Sequence, residues 1–445
     1  MKQEQSFLKT VCNLAIPVAL QSMLQASFSI VDQIMIGQLG SVSVAGVGLA
    51  GKFSSVYSVV VAAIGTVAGI MISQYMGQSN KKEIRRSFCL NLIFALGIAV
   101  LFTGICIGFP VRIMGLYTKD AQTIIASAEY LKIVAWTFLP IAGATLLSTM
   151  FRCMEKARLP LYAGIAAAVL NTGLNYVLIF GKFGFPSMGA EGAAIATLLS
   201  QMANFGILLF MIFRYGEILK KGGKEEIVSE FDWRQYVGML FPILASEFLW
   251  SLGENVYAAI YGNMGTEACA AMTLINSIQG LMMGALCGLS QAAGVIIGKK
   301  LGNREYDEAY TAAKKMILYG FVSSAVLSLV IVTTRTAYVE IYQVEDSVKA
   351  LTAQILTAYA LVAPFKVQNM ILGGGIIRSG GKTKYVMLID MIGTWGFGVP
   401  LGLLSAFVLK LSIPYVYFIL SLEECVRFGI SVAVLRKKKW MQSLG

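Results

Sequence analysis

The chain contains no histidine, and only 13% of its 445 residues are charged. Without histidine it lacks the commonest transition-metal ligand and the usual general base at neutral pH. Soluble domains carry about 25% charged residues. A chain that is 57% hydrophobic, with mean hydropathy +0.70, cannot clothe itself in polar surface. Its cysteines, Cys12, Cys89, Cys106, Cys153, Cys269, Cys287 and Cys425, are scattered and form no CxxC pair. That argues against a disulfide framework or thiolate metal site and leaves them as small packing residues. A nucleotide loop is also missing. GGGIIRSGGKTK ends in Gly381-Lys382-Thr383, but the phosphate-binding pattern needs glycine where Ile376 stands, and the segment follows an apolar span rather than a strand. No selectivity-filter motif and no nucleophile constellation is present, which sets aside a channel or a membrane enzyme. No cofactor is expected. No A-x-A-like site follows the first apolar run, so no cleaved signal peptide is expected.

What the chain does have is apolar runs of about 20 residues, enough to cross a bilayer. Twelve are expected: 12–37, 44–72, 87–113, 127–151, 161–181, 189–213, 237–262, 270–298, 316–334, 351–377, 385–409 and 413–435. The second half repeats the first at an offset of 225 residues. Pro17 answers Pro242, Gly37 and Gly40 answer Gly262 and Gly265, Ala68-Gly69 answers Ala293-Gly294, and Gly77 answers Gly302. Glycine and proline fix backbone geometry, so matched positions imply matched bends and helix ends. The fold class expected is an all-α integral membrane protein of twelve transmembrane helices. These form two six-helix lobes (1–213 and 237–445) joined by the polar segment 214–236, RYGEILKKGGKEEIVSEFDWRQY.

The net charge of +12 suggests nucleic acid, but its placement argues against that partner. Most of the 36 basic residues fall in one alternate set of loops, including Lys81, Lys82, Arg85 and Arg86, then Lys299 and Lys300, then Arg436 to Lys439. The opposite set has only Arg112, Lys119, Lys132, Lys182, Arg335, Lys349 and Lys410. Positive residues stay on the cytoplasmic side. Both termini and the 214–236 linker are therefore expected in the cytoplasm of a cell with its plasma membrane as host bilayer. An even number of spans per half gives both repeats the same orientation, with a pseudo-two-fold axis along the membrane normal.

Ionisable groups inside spans are expensive and mark function by default. Asp32 closes a stripe of Gln21, Gln25, Ser29 and Asp32, one face of a helix. Asn171 and Asn175 lie one turn apart in span five. A carboxylate with amide oxygens nearby suits Na⁺, and a buried carboxyl suits a proton. The alternative is that Asp32 caps a helix or pairs with Lys52. The second half holds Glu247, Glu254, Lys366, Asp390, Glu423, Glu424 and Arg427 within spans. Glu423 and Arg427, at i and i+4, form an obvious intrahelical pair, and Asp390 sits near enough to its span's end to face cytoplasmic water. With Gln25, the acids and Lys366 are the candidates for a substrate cavity. The charges do not obey the repeat, because Asp32 aligns with Tyr257 and Glu247 with Ser22.

These motifs resemble the multidrug and toxic compound extrusion family, within a superfamily that includes lipid-linked oligosaccharide flippases. Span one, IPVALQSMLQASFSIVDQIMIGQLG, has the family's Pro, Asp and G-x-L-G. Span five and its loop, LNTGLNYVLIFGKFGFPSMGAEGAAIAT, and IRSGGKTKY after span ten resemble two further motifs. The resemblance covers the whole chain. It implies a monomeric antiporter whose two lobes enclose a cavity, exporting amphipathic organic cations against H⁺ or Na⁺ entry. Carried over by motif, the ion site is Asp32, Asn171, Asn175 and Thr197. Many members have aspartate where Asn175 stands, which weakens a Na⁺ site and leaves H⁺ coupling through Asp32. The acidic position some members use in span seven falls on Trp250, one turn after Glu247. The alternative implied is a flippase for an anionic lipid-linked headgroup, which needs a cavity lined with Arg and Lys.

Overall fold

The computed structural model describes residues 2–215, 232–342 and 344–444. Among them every regular element is helical. The helices are α1 (Lys2–Gly37), α2 (Ser41–Gly77), α3 (Lys81–Gly108), α4 (Ala121–Cys153), α5 (Arg158–Phe180), α6 (Gly189–Tyr215), α7 (Trp233–Asn263), α8 (Thr266–Gly302), α9 (Tyr306–Glu340), α10 (Asp346–Ile377) and α11 (Thr383–Val408). Each of these eleven is long and apolar enough to cross a membrane. The twelfth, α12, comes in two pieces, Ile413–Ser421 and Glu423–Arg436, meeting at Leu422. The break falls where Glu423 and Glu424 interrupt the apolar run.

Two further elements differ from the sequence expectation. The third span, expected over 87–113, ends at Gly108, because Pro110 restricts the residue before it and Phe109 leaves the helical region. A short helix, Pro110–Gly115, follows. The linker expected over 214–236 narrows at both ends, with α6 reaching Tyr215 and α7 starting at Trp233; residues 216–231, with Gly222 and Gly223, lie outside the described residues.

Local chemistry explains the helix starts. Asn80, Asp120 and Asp232 each turn a side-chain oxygen to an orphan backbone N–H, those of Glu83 (3.2 Å), Thr123 (2.9 Å) and Gln235 (3.0 Å). The Asp120 carboxylate also accepts from the Thr123 hydroxyl at 2.5 Å. These bonds hold its carboxyl below the usual carboxylate range. Their stabilisation is present at neutral pH and is lost as pH falls through that lowered value. Exposed apolar side chains line the outer helices, as with Ile93, Val100 and Leu101 on α3 and Val322, Val326 and Leu329 on α9. Such area is compatible only with lipid.

Contacts divide the chain into two compact units. One is Leu20–Ile72 with Ser79–Phe231; the other is Met1–Ala19, Ser73–Gln78 and Asp232–Gly445. We call them the first-repeat and second-repeat units. In the first-repeat unit Tyr57 is fully buried, stacked on Phe138 with ring centroids 4.2 Å apart, and donates to the Phe138 carbonyl at 2.6 Å. In the second-repeat unit the end of α2 crosses the end of α8 through glycine on both sides. A Cβ at Gly77 would overlap the Lys299 carbonyl, and one at Gly302 would overlap the Gln74 carbonyl. Lys299 is the repeat mate of Gln74, so the contact is reciprocal, as the 225-residue offset requires. Buried Gln74 donates to the Ser379 carbonyl at 2.6 Å and accepts from Leu444 N–H at 2.8 Å. The chain end, with Trp440 fully buried, is thereby tied to the crossing.

Alanine is the better helix former by about 1 kcal/mol, so Gly302→Ala should stabilise unless the crossing forbids a methyl. The expected outcome is destabilisation by about 1–3 kcal/mol, the usual cost of overpacking, read as a lower thermal midpoint in detergent. Gly429→Ala, where no neighbouring atom lies within 4 Å, should leave the midpoint unchanged or raised. Equal midpoints for both variants would dismiss the crossing as a tight contact.

Candidate functional site

The first-repeat unit builds a carboxylate centre from α1 and α5. A Cβ at Gly164 would sit 3.6 Å from Gln21 Nε2. Eleven residues along each helix, Asp32 meets Asn175. Both pairs are separated by 143 residues, so the two helices run side by side in the same direction. Asn175 Nδ2 donates to Asp32 Oδ1 at 2.6 Å. Asn171, with its amide nitrogen turned to Asp32, donates to both carboxylate oxygens at 3.0 Å. Both asparagines are buried, and Asn175 Oδ1 has no partner. Tyr130 of α4 feels the Asp32 charge and packs on a small core of Ile36, Ile179 and Ala193.

Asp32 therefore does not act as a helix cap or pair with Lys52. It is a carboxylate held by two amide donors, a charged acceptor with its demands met by neutral groups. Thr197, on α6, spends its hydroxyl on the Ala193 carbonyl at 2.9 Å and makes no hydrogen bond to Asp32. Nothing in the motif pattern pointed to Tyr130, since its approach to Asp32 is set by how α4 packs on α1.

The second-repeat unit gathers its charges around two cavities. One, of about 180 Å³, is lined by Glu254, Lys366, Glu423 and Glu424, with Tyr257, Tyr261, Tyr359 and Tyr417. The other, of about 250 Å³, is lined by Glu247, Asp390, Arg378 and Arg427, and again by Lys366 and Glu424. Gln25, expected in the same cavity, lies in the first-repeat unit and lines neither.

The pairing differs from the one the spacing suggests. Glu423 does not pair with Arg427; it accepts from the Tyr257 hydroxyl at 2.7 Å. Arg427 instead pairs with Glu424 at 3.5 Å, one residue nearer in sequence, and with Asp390 from α11. Asp390 accepts also from Ser246 of α7, so it is a buried ion-pair partner rather than a group facing cytoplasmic water. Asn369 donates to both the carbonyl and the carboxylate of Glu424, each at 2.8 Å. Glu247 pairs with Arg378 at 3.2 Å. Arg378 directly follows the π-helical stretch Met370–Ile377 of α10, which contains Gly373 to Gly375. π-bulges mark functional sites in many helices, and α11 has two more, Ile392–Gly398 and Leu404–Val408. Its glycines make room for the charges: a Cβ at Gly393 would overlap the Arg427 side chain, and one at Gly398 would overlap Tyr257 and Glu423.

A bundle of bilayer-length helices holding buried carboxylates and charged cavities is a multi-pass membrane transporter, not an enzyme. The MatE family profile matches residues 17–177 and 242–404, one stretch in each repeat, and the chain belongs to that family. Among its relatives is a Thermotoga maritima protein named "Probable multidrug resistance protein NorM", 25% identical, the match covering 90% of this chain and 88% of that one. Another is an uncharacterized transporter, YisQ, from Bacillus subtilis, 20% identical over 96% and 93%. A solved structure of a variant of the Vibrio cholerae MATE transporter VcmN superposes with a TM-score of 0.90 at 17% identity. It covers 99% of this chain and all of that one.

Breaking a buried ion pair from one side leaves an uncompensated charge and costs about 3–5 kcal/mol. Arg427 serves two carboxylates with only 11% of its side chain exposed. Arg427→Met should therefore lower the thermal midpoint in detergent sharply. Adding Asp390→Asn should recover part of the loss, because one stranded charge is then removed. A double variant no more stable than Arg427→Met alone would count against the Asp390 pairing.

Proposed function

We propose that the protein is a secondary active antiporter that exports amphipathic organic cations from the cell, in exchange for protons bound at Asp32. The observation that carries this reading is the Asp32 centre, a carboxylate within a membrane-spanning helix whose direct partners among the described residues are two amides. Its relatives' names, multidrug resistance protein among them, point to drug-like substrates. Acidic residues and tyrosines along the second-repeat cavity suit an amphipathic cation, through charge and through cation–π contact. With no nucleotide loop, either an ion gradient does the work or transport is passive, and the export reading takes the gradient. Moving one charge down about 100 mV supplies about 2.3 kcal/mol.

The donor geometry argues against Na⁺, because the amides meet the carboxylate with N–H groups and offer no oxygen to a cation there. Two amide N–H groups aimed at the carboxylate suit a proton cycle, in which Asp32 is charged while substrate is held and neutral while the empty carrier resets. For Na⁺ both amides would have to turn their oxygens inward. The unpartnered Asn175 Oδ1 leaves Na⁺ as the second reading. Proton and substrate each shift the cavity between the two faces of the membrane only through unequal affinity for the two states. On this reading the carrier is a plasma-membrane monomer, and the positive-inside bias supports both termini lying in the cytoplasm.

A flippase for a diphosphate headgroup would need several free cations in one cavity. Arg378 and Arg427 are committed to carboxylates, leaving Lys366 alone.

In proteoliposomes, an imposed pH gradient should drive ethidium out, and Asp32→Asn should abolish that flux while the protein still inserts. An imposed Na⁺ gradient alone should do little. Flux unchanged in Asp32→Asn would sink the coupling assignment, and flux that follows Na⁺ instead of pH would replace the proton.

A further inference from the structure

Three polar groups in the second-repeat cavity are left without a partner. Lys366, from α10, makes no ion pair within 4 Å and no hydrogen bond, although Glu424, Glu254 and Glu423 all act on its charge from a distance. Tyr359, one percent exposed, has a buried hydroxyl with no partner and feels the charge of Lys366. Glu254, from α7, has no bonded partner and lines the same cavity. The neighbouring charges are already committed: Glu423 to Tyr257, and Glu424 to Asn369 and Arg427. Lys366 is half-buried, and an ammonium drawn out of water with no acceptor bonded to it is costly. A cavity meant for cations alone would gain nothing by keeping one, since it repels its own ligand.

Resting on the export reading above, we propose that this cavity recognises zwitterions. Lys366 and the Tyr359 hydroxyl receive a carboxylate of the substrate, Glu254 receives its ammonium or delocalised cation, and Tyr261 and Tyr417 flank its apolar body. Each pole of the ligand completes a group the chain leaves open, so both poles are paid for by contacts that water would otherwise have to supply. A substrate with the cation alone leaves Lys366 and Tyr359 unmatched, and one with the carboxylate alone leaves Glu254. Lys366 is thus the residue that sets specificity between zwitterion and simple cation. Its counterpart by the repeat, aligned through Pro140 and Pro364, is Ala142, an apolar residue.

The test uses a rhodamine bearing a free benzoate and its methyl ester, which differ only in the carboxylate. Dye binding to the purified full-length protein is read by fluorescence anisotropy, and efflux is read in proteoliposomes. Wild type should bind the acid at least tenfold more tightly than the ester. Lys366→Gln should lower the ratio of acid to ester affinity at least tenfold, within the range of a lost charge-assisted hydrogen bond. Lys366→Arg, which keeps the charge, should retain most of that ratio and guards against a folding defect in the glutamine variant. Tyr359→Phe should lower the ratio by a smaller factor. A wild-type protein that binds the ester as tightly as the acid overturns the proposal, as does an equal loss of both dyes in Lys366→Gln. If the acid binds with the expected preference but neither dye leaves under any gradient, the export reading fails and the zwitterion site stands.

Discussion

A charge carried into a bilayer must be answered by the chain itself, because no water is there to do it. Much of the polar architecture of this protein follows from that constraint. Asp32 is answered by two amides, Asp390 and Glu424 by Arg427, Glu247 by Arg378, and Glu423 by a tyrosine hydroxyl. The choice of answer sets what each group can do. An arginine partner fixes a carboxylate in its charged state and makes it structural. Neutral donors satisfy the charge without cancelling it, so the group stays available to a proton or a cation.

The backbone is shaped to the same end. Two of the three π-helical stretches of α10 and α11 hold three glycines each, and in Ile392–Gly398 the glycines Gly393 and Gly398 are where Arg427, Tyr257 and Glu423 lie against the chain. A regular helix with side chains at Gly393 and Gly398 would fill the space those groups occupy. The wider turn also changes the face on which later residues emerge, which is how Arg378, one residue past Ile377, reaches Glu247 on α7. Irregular backbone in a membrane helix is tolerated where it is buried in protein or lines a cavity, and both conditions hold here.

The architecture was largely legible in the sequence, because membrane spans are written in composition and length. The offset of 225 residues matched Gly77 and Gly302 as equivalent helix ends, and the structure brings those two ends together. The Asp32 centre was legible too, since two side chains at i and i+4 on α5 can both face one residue of α1. The ion pairs were not. The i, i+4 rule offered Glu423 to Arg427, but the arginine had a better offer from Asp390 on another helix, and contacts across helices leave no periodic trace. The Arg378 pair with Glu247 was hidden for a related reason: its register depends on a π-helical turn, and composition does not distinguish that turn from an α-helical one. The third span was overrun because its apolar run continues through Pro110, whose effect on Phe109 outweighed hydropathy.

Duplication gave both halves the same frame of bends and glycine crossings, but the charges were placed after it, or lost unequally. Tyr257 is the repeat mate of Asp32, and the pair illustrates the divergence. At the first position a carboxylate rests between amides. At the second a phenol donates to a carboxylate, Glu423, brought in from α12. The two positions thus carry inverse chemistry on equivalent backbone, acceptor in one copy and donor in the other. A frame that tolerates both demands little of the side chain at that point beyond reach into the interior. The functional difference between the halves then lies in a handful of substitutions, while the Gly and Pro positions that hold the frame stay matched. Under the export proposal, such a division lets substrate recognition in the second half change without altering the Asp32 centre in the first.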